Sequence, residues 1–244
     1  MLRRIAEIFV LVLAVGYLSF SIVELTHRPD ENAVCDRVSV KIYDSLQCGI
    51  LTEAKVLDVL SRNGLNPVGK PLETIDMDSI EHVLERHQMI SQAECFLTSD
   101  NCVRIKVRSV VPLVRVMSRS GADYMVGSNG GIIEYRGIAV NLPVATGYIS
   151  RAYASDQLMN VVRGIYASRF WKAQIVQIDV SENGQVLLVP RVGGHIIDIG
   201  TPDDVSGKLE RLMRFYENGM NVIGWNKYCR LSAAFDGQIV CRKK

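Results

Sequence analysis

The sequence lacks most of the residue arrangements that enzymes and metal proteins use. It has only four histidines and no C-x-x-C pair, which argues against a zinc site and against a thioredoxin-like dithiol. His82, Glu85 and His87 approach a zinc-binding helix motif, but one extra residue would turn the two histidines about 140° apart on a helix. A solvated helical face is therefore favoured, and we predict no catalytic residue, no metal and no cofactor.

The remaining candidate motifs also favour structural roles. The stretch 127–130 (Gly-Ser-Asn-Gly) is one residue too short for a nucleophile elbow and is typical of a turn. Asp203 and Asp204 follow a Thr-Pro pair and fit the first turn of a helix better than a cation site. Trp171 and Trp225 are interpreted as core residues rather than as anchors for a partner. The protein is therefore not expected to be an enzyme.

The composition excludes strong charge of either sign, low complexity and internal repeats. Hydrophobic residues make up 48% and charged residues 22% of the 244 positions, and the net charge is +2. This balance is typical of a folded globular protein and predicts no strong overall field for nucleic acid or for an anionic surface. The length is sufficient for one large or two small domains beside an anchor.

The six cysteines are compatible with an oxidising compartment, where they could form up to three disulfides. The sequence does not choose among the possible pairings, and free buried thiols are equally compatible with it. The cysteines are Cys35, Cys48, Cys95, Cys102, Cys229 and Cys241.

What the chain does contain is a long apolar run near its start. Residues 5–23 carry one charge, Glu7, and as a helix would reach roughly 28 Å, close to a bilayer's hydrocarbon thickness of about 30 Å. Two arginines precede the run, whereas one arginine and three acids follow it, which predicts a cytoplasmic N-terminus. We therefore expect a cytoplasmic segment 1–4, a transmembrane helix 5–23 and an extracytoplasmic remainder. A cleaved signal peptide is the alternative.

After a polar linker at 24–34, the hydrophobic periodicity predicts a β-α-α-β-β unit. Thr52 and an aspartate at 76 or 78 are the expected helix N-caps. Helices packed on one side of a small sheet would leave its other face and an edge exposed, and another chain could add a strand there. The predicted elements are strand 36–44, helices 52–63 and 77–87, and strands 91–98 and 102–109.

From Pro112 onward the sequence changes to short strands and glycine turns. A boundary at about 109–112, without a Gly/Ser-rich stretch, predicts a tight joint. The fold class is therefore α+β, with a strand-rich second domain and flanking helices. The predicted elements are strands 113–117, 124–126 and 132–135, a helix capped by Ser155, a hairpin 173–180 and 185–189, strand 195–199, a helix ending at Gly219, and a closing hairpin 229–235 and 238–244.

The closing hairpin turns at an Asp-Gly pair, Asp236 and Gly237. We expect its second strand to lie at a sheet edge, where free backbone groups can accept a partner strand. The alternative is an edge that the cations Arg242, Lys243 and Lys244 protect from pairing.

Several short stretches lie at corresponding points of the two predicted domains. They are 50–52 and 75–78 before the two early helices, 103–107 with 112–116, Gly131 with 142–147, 199–200 with 208–209, and 231–240. With the order of the predicted elements, these stretches resemble the bacterial cell-division family FtsQ (DivIB). The stretch before Pro112 departs from the family pattern, because residues 109–111 are Ser-Val-Val where the family commonly carries Glu or Gln with Arg.

The resemblance implies a POTRA domain at 35–111, a C-terminal β domain at 112–244, and a non-enzymatic scaffold of the divisome. Such a protein sits in the cell inner membrane at the division septum, binds the bitopic proteins FtsB and FtsL, and contacts other divisome components through its POTRA domain. The alternatives are a POTRA-bearing assembly factor of envelope protein secretion and an envelope hydrolase. The contact set that the resemblance implies for FtsB is Phe235, Gly237, Gln238, Ile239, Val240 and Cys241.

Overall fold

The structure is a computed structural model that describes residues 13–21, 33–44, 49–134, 137, 140–220, 222 and 224–244. Residues 13–21 are helical, and among the described residues no helix is both long and apolar enough to span a bilayer. Most of the predicted span, including residues 5–12, lies outside the described residues. Cys48 also lies outside them.

The first described unit is a three-stranded sheet with two helices. Strands β1 (Arg37–Tyr43), β2 (Ile90–Leu97) and β3 (Cys102–Ser109) have the order β1-β3-β2. β1 runs parallel to β3, and β2 runs antiparallel to it. Helices α1 (Glu53–Arg62) and α2 (Met77–Glu85) lie between β1 and β2 in the chain. The predicted β-α-α-β-β order is therefore confirmed.

Local sequence signals explain where the two helices begin. The Thr52 hydroxyl accepts a hydrogen bond from the Lys55 amide, and the Asp76 carboxylate accepts one from the Ser79 amide, as N-caps do. Apolar residues recur every three or four positions on each helix and pack on the inward side chains of β3. This core contains Val56, Leu60, Ile80, Leu84, Val103, Ile105 and Val107.

The second unit is a sheet with nine strands among the described residues. Its order is β12-β11-β10-β9-β8-β7-β4-β5-β6. β7 is parallel to β4 and to β8, β10 is parallel to β11, and the other neighbours are antiparallel. The strands are β4 (Pro112–Ser118), β5 (Asp123–Gly127), β6 (Ile132–Glu134), β7 (Val144–Gly147), β8 (Ile175–Val180), β9 (Val186–Pro190), β10 (Ile196–Gly200), β11 (Tyr228–Ser232) and β12 (Val240–Lys243).

Among the described residues, four helices pack against this sheet and bury its main core. They are α3 (Arg151–Ser155), α4 (Gln157–Ala167), α5 (Arg169–Gln174) and α6 (Val205–Phe215), and a π-helical turn (Tyr216–Met220) follows α6. In β4 and β9, buried residues alternate with less buried ones, so these strands present one side to the helices. The core includes Leu158, Val162, Ile165, Leu209 and Leu212 from the helices and Val116, Ile178, Leu188, Ile197 and Leu231 from the strands.

The helical layer begins earlier than the prediction, which placed a helix cap at Ser155. Ser150 accepts a hydrogen bond from the Tyr153 amide (Oγ···N 3.1 Å) and begins α3, whose last residue is Ser155. The backbone at Asp156 (φ −116°, ψ −81°) then interrupts the helix before α4. The cap prediction was wrong, because Ser150 caps the first helix of this layer and Asp156, not Ser155, is the residue before α4.

The sequence patterns do not predict β7 or α5. β7 has four residues and pairs in parallel on both sides, so it lacks the alternation that marks a half-exposed strand. α5 has six residues, and its N-cap, Ser168, accepts a hydrogen bond from the Trp171 amide. The predicted strand beginning at residue 173 therefore begins at Ile175 instead, because α5 occupies its first two positions.

The chain passes between the two sheets through a buried residue, Val110. Its amide donates a hydrogen bond to the Met89 carbonyl (N···O 2.9 Å), and its side chain clusters with Met125 and Ile133. Met89 and Leu142 pack against this cluster from either side. A tight joint requires contacts of this kind. The domain boundary at 111/112 itself stays a prediction.

The five described cysteines are all free, so none of the disulfides considered above forms among them. Cys35, Cys95 and Cys102 are buried. Burial, with smaller contributions from Glu81 and Cys35, raises the pKa of the Cys95 thiol to about 12. This thiol is therefore protonated at neutral pH, which suits a core residue.

A substitution at Gly147 tests the β7–β8 packing. Gly147 has φ +102°, and a Cβ there would lie 2.0 Å from the Val180 carbonyl oxygen. We expect Gly147→Ala to lower the free energy of unfolding by about 3 kcal/mol or more, measured by urea titration. The control is Gly121→Ala, where φ is +87° but no atom lies within 4 Å, and its cost should be about 1 kcal/mol. Equal losses in the two variants would contradict this packing.

The ion pair between Asp203 and Lys208, at the start of α6, predicts a pH dependence. Lys208 is buried, and its Nζ donates to Asp203 Oδ1 (2.8 Å) and to the Thr201 carbonyl oxygen (2.9 Å). Hydrogen bonds from Lys208 and Thr201 lower the pKa of Asp203 from 3.8 to about 2. A depressed pKa contributes stability above the unfolded value, and this contribution is lost as the pH falls through the folded value.

We therefore expect Asp203→Asn to be less stable than the unchanged chain at neutral pH, by at most about 1 kcal/mol because the carboxylate is largely exposed. The difference should close as the pH falls from about 4 to about 2. Urea titrations at several pH values measure it. A stability difference that does not change over this range would show that the charge of Asp203 is not responsible.

Candidate partner-binding edge

The last strand, β12, lies at one edge of the large sheet. It pairs only with β11 among the described residues, in antiparallel register with Cys241 opposite Leu231 and Val240 opposite Ser232. The expected edge position of the closing strand is therefore confirmed. On its other side, the β12 backbone has amide and carbonyl groups that form no hydrogen bonds with any described strand. Such groups can bind a further strand.

The closing hairpin has shorter strands and a longer connection than the sequence predicted. β11 ends at Ser232 and β12 begins at Val240, so seven residues (233–239) join them. Asp236 and Gly237 lie in the turn, and Gly237 has φ +72°. Just after β11, the Ala233 amide donates a hydrogen bond to the Asp198 carbonyl on β10 (N···O 2.8 Å).

The structure divides the predicted contact residues into two groups. Phe235 (54% exposed), Gly237, Gln238 and Val240 (46% exposed) face solvent. Ile239 and Cys241 are half-buried and pack against the main core, and burial raises the pKa of the Cys241 thiol. The exposed residues are therefore accessible to a partner, whereas Ile239 and Cys241 attach the edge to the sheet.

Asp198 on β10 fixes the position of β11. Its Oδ2 accepts hydrogen bonds from Arg230 (Nη2, 2.9 Å) and from Ser232 (Oγ, 3.1 Å). The side chains of Asp198 and Ser232 are mostly buried, so their charge-assisted bond is shielded from solvent, whereas Arg230 is 41% exposed. Sequence reasoning missed this residue. The only available signal was a single acid in an otherwise apolar strand.

A cluster of aromatic rings and a histidine supports the same end of the sheet. His195 Nε2 lies 2.6 Å from the Tyr216 hydroxyl, and the Trp225 ring packs edge-on to Tyr216 at 5.1 Å between centroids. Burial, together with the positive charge of Lys244, lowers the pKa of His195. His195 is therefore neutral at physiological pH. Trp171, predicted as a core residue, is buried against Tyr216.

The cations at the end of β12 keep the alternative interpretation of this edge open. Arg242, Lys243 and Lys244 are all exposed. Cationic residues on an edge strand discourage pairing with identical edges, but they do not block an acidic partner.

The residues examined as possible catalytic or metal groups have structural roles. The Glu85 carboxylate accepts a hydrogen bond from the Ala93 amide, and His87 Nδ1 accepts one from the Met89 amide. His82 is exposed on α2. Asp204 is the N-cap of α6, as the sequence predicted for a helix start. Within the described part of the chain, no cluster of His, Cys, Asp or Glu could hold a metal ion.

Comparison with known families covers most of the chain. A family model described as FtsQ/DivIB, C-terminal related, matches residues 111–242, more than half of the chain. A model described as a POTRA-like domain matches residues 33–108. No curated protein matches the chain. Both matched families are non-enzymatic, scaffold-type domains. The chain therefore belongs to the FtsQ/DivIB family of cell-division proteins and carries a POTRA-like domain in front of its C-terminal sheet.

Proposed function

We propose that the protein is a bitopic scaffold of the bacterial divisome that captures a partner by β-strand addition to β12. Membership of a cell-division family supports the process, and the edge position of β12 is the observation that carries the mechanism. In this mechanism, main-chain hydrogen bonds between β12 and the added strand provide affinity. Side chains beside the strand provide specificity.

Phe235 is the anchor in this proposal. It is a large apolar side chain held at the beginning of the turn, with more than half of its surface exposed. Aromatic residues that become buried at an interface are common hot spots. A partner strand running along β12 would cover Phe235 and Val240 together. Gly237 and Gln238 complete the exposed contact set, and Ile239 and Cys241 hold it to the core.

The partners that we propose are FtsB and FtsL, of which FtsB supplies the added strand. The POTRA-like domain (35–111) would contact other division proteins, and the C-terminal domain (112–244) would carry the β12 site. A single span at 5–23 would hold both domains outside the cytoplasm of the inner membrane at the septum. This arrangement links early and late division proteins during septum formation.

Phe235→Ala should weaken capture of the FtsB/FtsL pair by about tenfold or more, because it removes the proposed anchor. Biolayer interferometry with the immobilised partner pair measures the affinity. The control is Tyr148→Ala, which removes another exposed aromatic side chain (44% exposed) outside the closing hairpin. Thermal unfolding of both variants checks that the fold is retained. Undiminished binding by Phe235→Ala would remove this residue from the site.

Strand addition also predicts where backbone amides become protected. Partner binding should slow amide hydrogen exchange in β12 by about tenfold or more, because its unpaired amides gain carbonyl acceptors. β6, at the opposite edge of the same sheet, is the internal control and should not change. Hydrogen-exchange mass spectrometry of the full chain measures both. Protection of β6 without protection of β12 would place the partner at the wrong edge for this proposal.

A further inference from the structure

One face of the three-stranded sheet is exposed and strongly basic. The helices α1 and α2 pack on the inward side chains of β1 and β3, so the outward side chains form the opposite face. Five of these outward residues are cationic, against one carboxylate, Glu94, whereas the whole chain has a net charge of only +2. The basic face consists of Arg37, Lys41, Arg104, Lys106 and Arg108.

Most of this charge is not neutralised by the acidic residues that the structure describes. Glu94 Oε2 lies 4.0 Å from Lys106 Nζ, and Asp100 in the neighbouring turn pairs with Arg37. The other three cations, Lys41, Arg104 and Arg108, form no ion pair with any described residue, and all three are exposed. A group of exposed like charges on a small sheet creates a positive potential that favours an anionic partner.

Two aromatic rings lie among these cations. Lys41 Nζ is 5.1 Å from the centre of the Tyr43 ring, and Lys106 Nζ is 4.7 Å from the centre of the Phe96 ring. Tyr43 is 43% exposed. Exposed amphipathic aromatics together with lysine and arginine are typical of surfaces that contact the headgroup region of a bilayer.

The shape of the basic face also suits a headgroup layer. The three strands place Lys41, Lys106 and Glu94 in one cross-strand row and Tyr43, Arg108 and Gln92 in the next. A shallow pocket of about 270 Å³ lies over these two rows. Pockets that bind drug-sized ligands usually have volumes of roughly 300 to 1,000 Å³. The pocket on the basic face is slightly smaller, so it suits a single polar headgroup.

The chain connection would keep this face near a membrane. The eleven residues 24–34 can span at most roughly 38 Å when fully extended, so a span at 5–23 would hold residue 34, three positions before β1, within that distance of the bilayer. We propose that the basic face docks on anionic phospholipid headgroups of the membrane that anchors the chain. The inference rests on the membrane span of the proposed function, but not on the β12 site.

Lysine labelling of the full chain in lipid nanodiscs tests the docking. We compare discs of phosphatidylcholine alone with discs containing about one third phosphatidylglycerol, using an amine-reactive acetylating reagent and mass spectrometry. Lys41 and Lys106 should be acetylated about threefold or more slowly in the anionic discs, and about 0.5 M salt should remove the difference. Lys55 on α1 and Lys172 on α5 are internal controls whose rates should not change.

A pair of matched variants separates this face from total charge. Arg104→Glu with Arg108→Glu should abolish the lipid dependence of Lys41 and Lys106 acetylation. Arg62→Glu with Arg86→Glu makes the same change in net charge at the helices and should preserve it. Thermal unfolding shows whether each double variant keeps its fold, and the comparison of lipids in the unchanged chain does not depend on any variant.

Three outcomes would overturn the proposal, and they differ from one another. Equal acetylation in both kinds of disc would mean that the face does not dock on lipid. Protection that appears in neutral discs only after partner proteins are added would assign the face to an acidic protein segment. A chain that is not retained in either disc would contradict the membrane span, and with it the proposed topology.

Discussion

The parallel pairing of β11 with β10 determines where the large sheet ends. The chain leaves β10, crosses over through α6 and returns beside β10, so β11 covers the β10 edge and β12 folds back on the outside. Asp198 stabilises this pairing through Arg230 and Ser232, while α6 packs on the core beneath. The accessible edge therefore depends on the crossover and not on the closing hairpin alone.

Strong local signals made much of the fold predictable from the sequence. Thr52 and Asp76 are helix caps with apolar stripes behind them, and β3 alternates regularly, so the first unit follows its local pattern. β7 and α5 are too short to carry such a pattern, and their structure depends on distant neighbours. The closing hairpin and the edge position of its second strand were also predictable, because the turn at Asp236 and Gly237 is a local signal. The support from Asp198 and His195 was not, because it depends on contacts between residues far apart in sequence.

Charge illustrates a second limit of sequence reasoning. A net charge of +2 indicated no strong field, yet alternation along two short strands, β1 and β3, gathers five cations on one side of a small sheet. The net charge of the whole chain cannot reveal such a basic face, because it contains no information on where the charged residues lie. The proposed scaffold thus has two different surfaces: an edge that recognises a partner's backbone, and a basic face that responds to anionic headgroups and to salt.

The proposed function depends most on whether a partner strand joins the sheet at β12. A structure of the full chain bound to the extracytoplasmic part of FtsB tests it directly. The account predicts an additional strand whose backbone is hydrogen-bonded to Val240–Lys243, with Phe235 buried against it. A partner bound to β6 or to the helical layer, with the β12 edge left exposed, would contradict it.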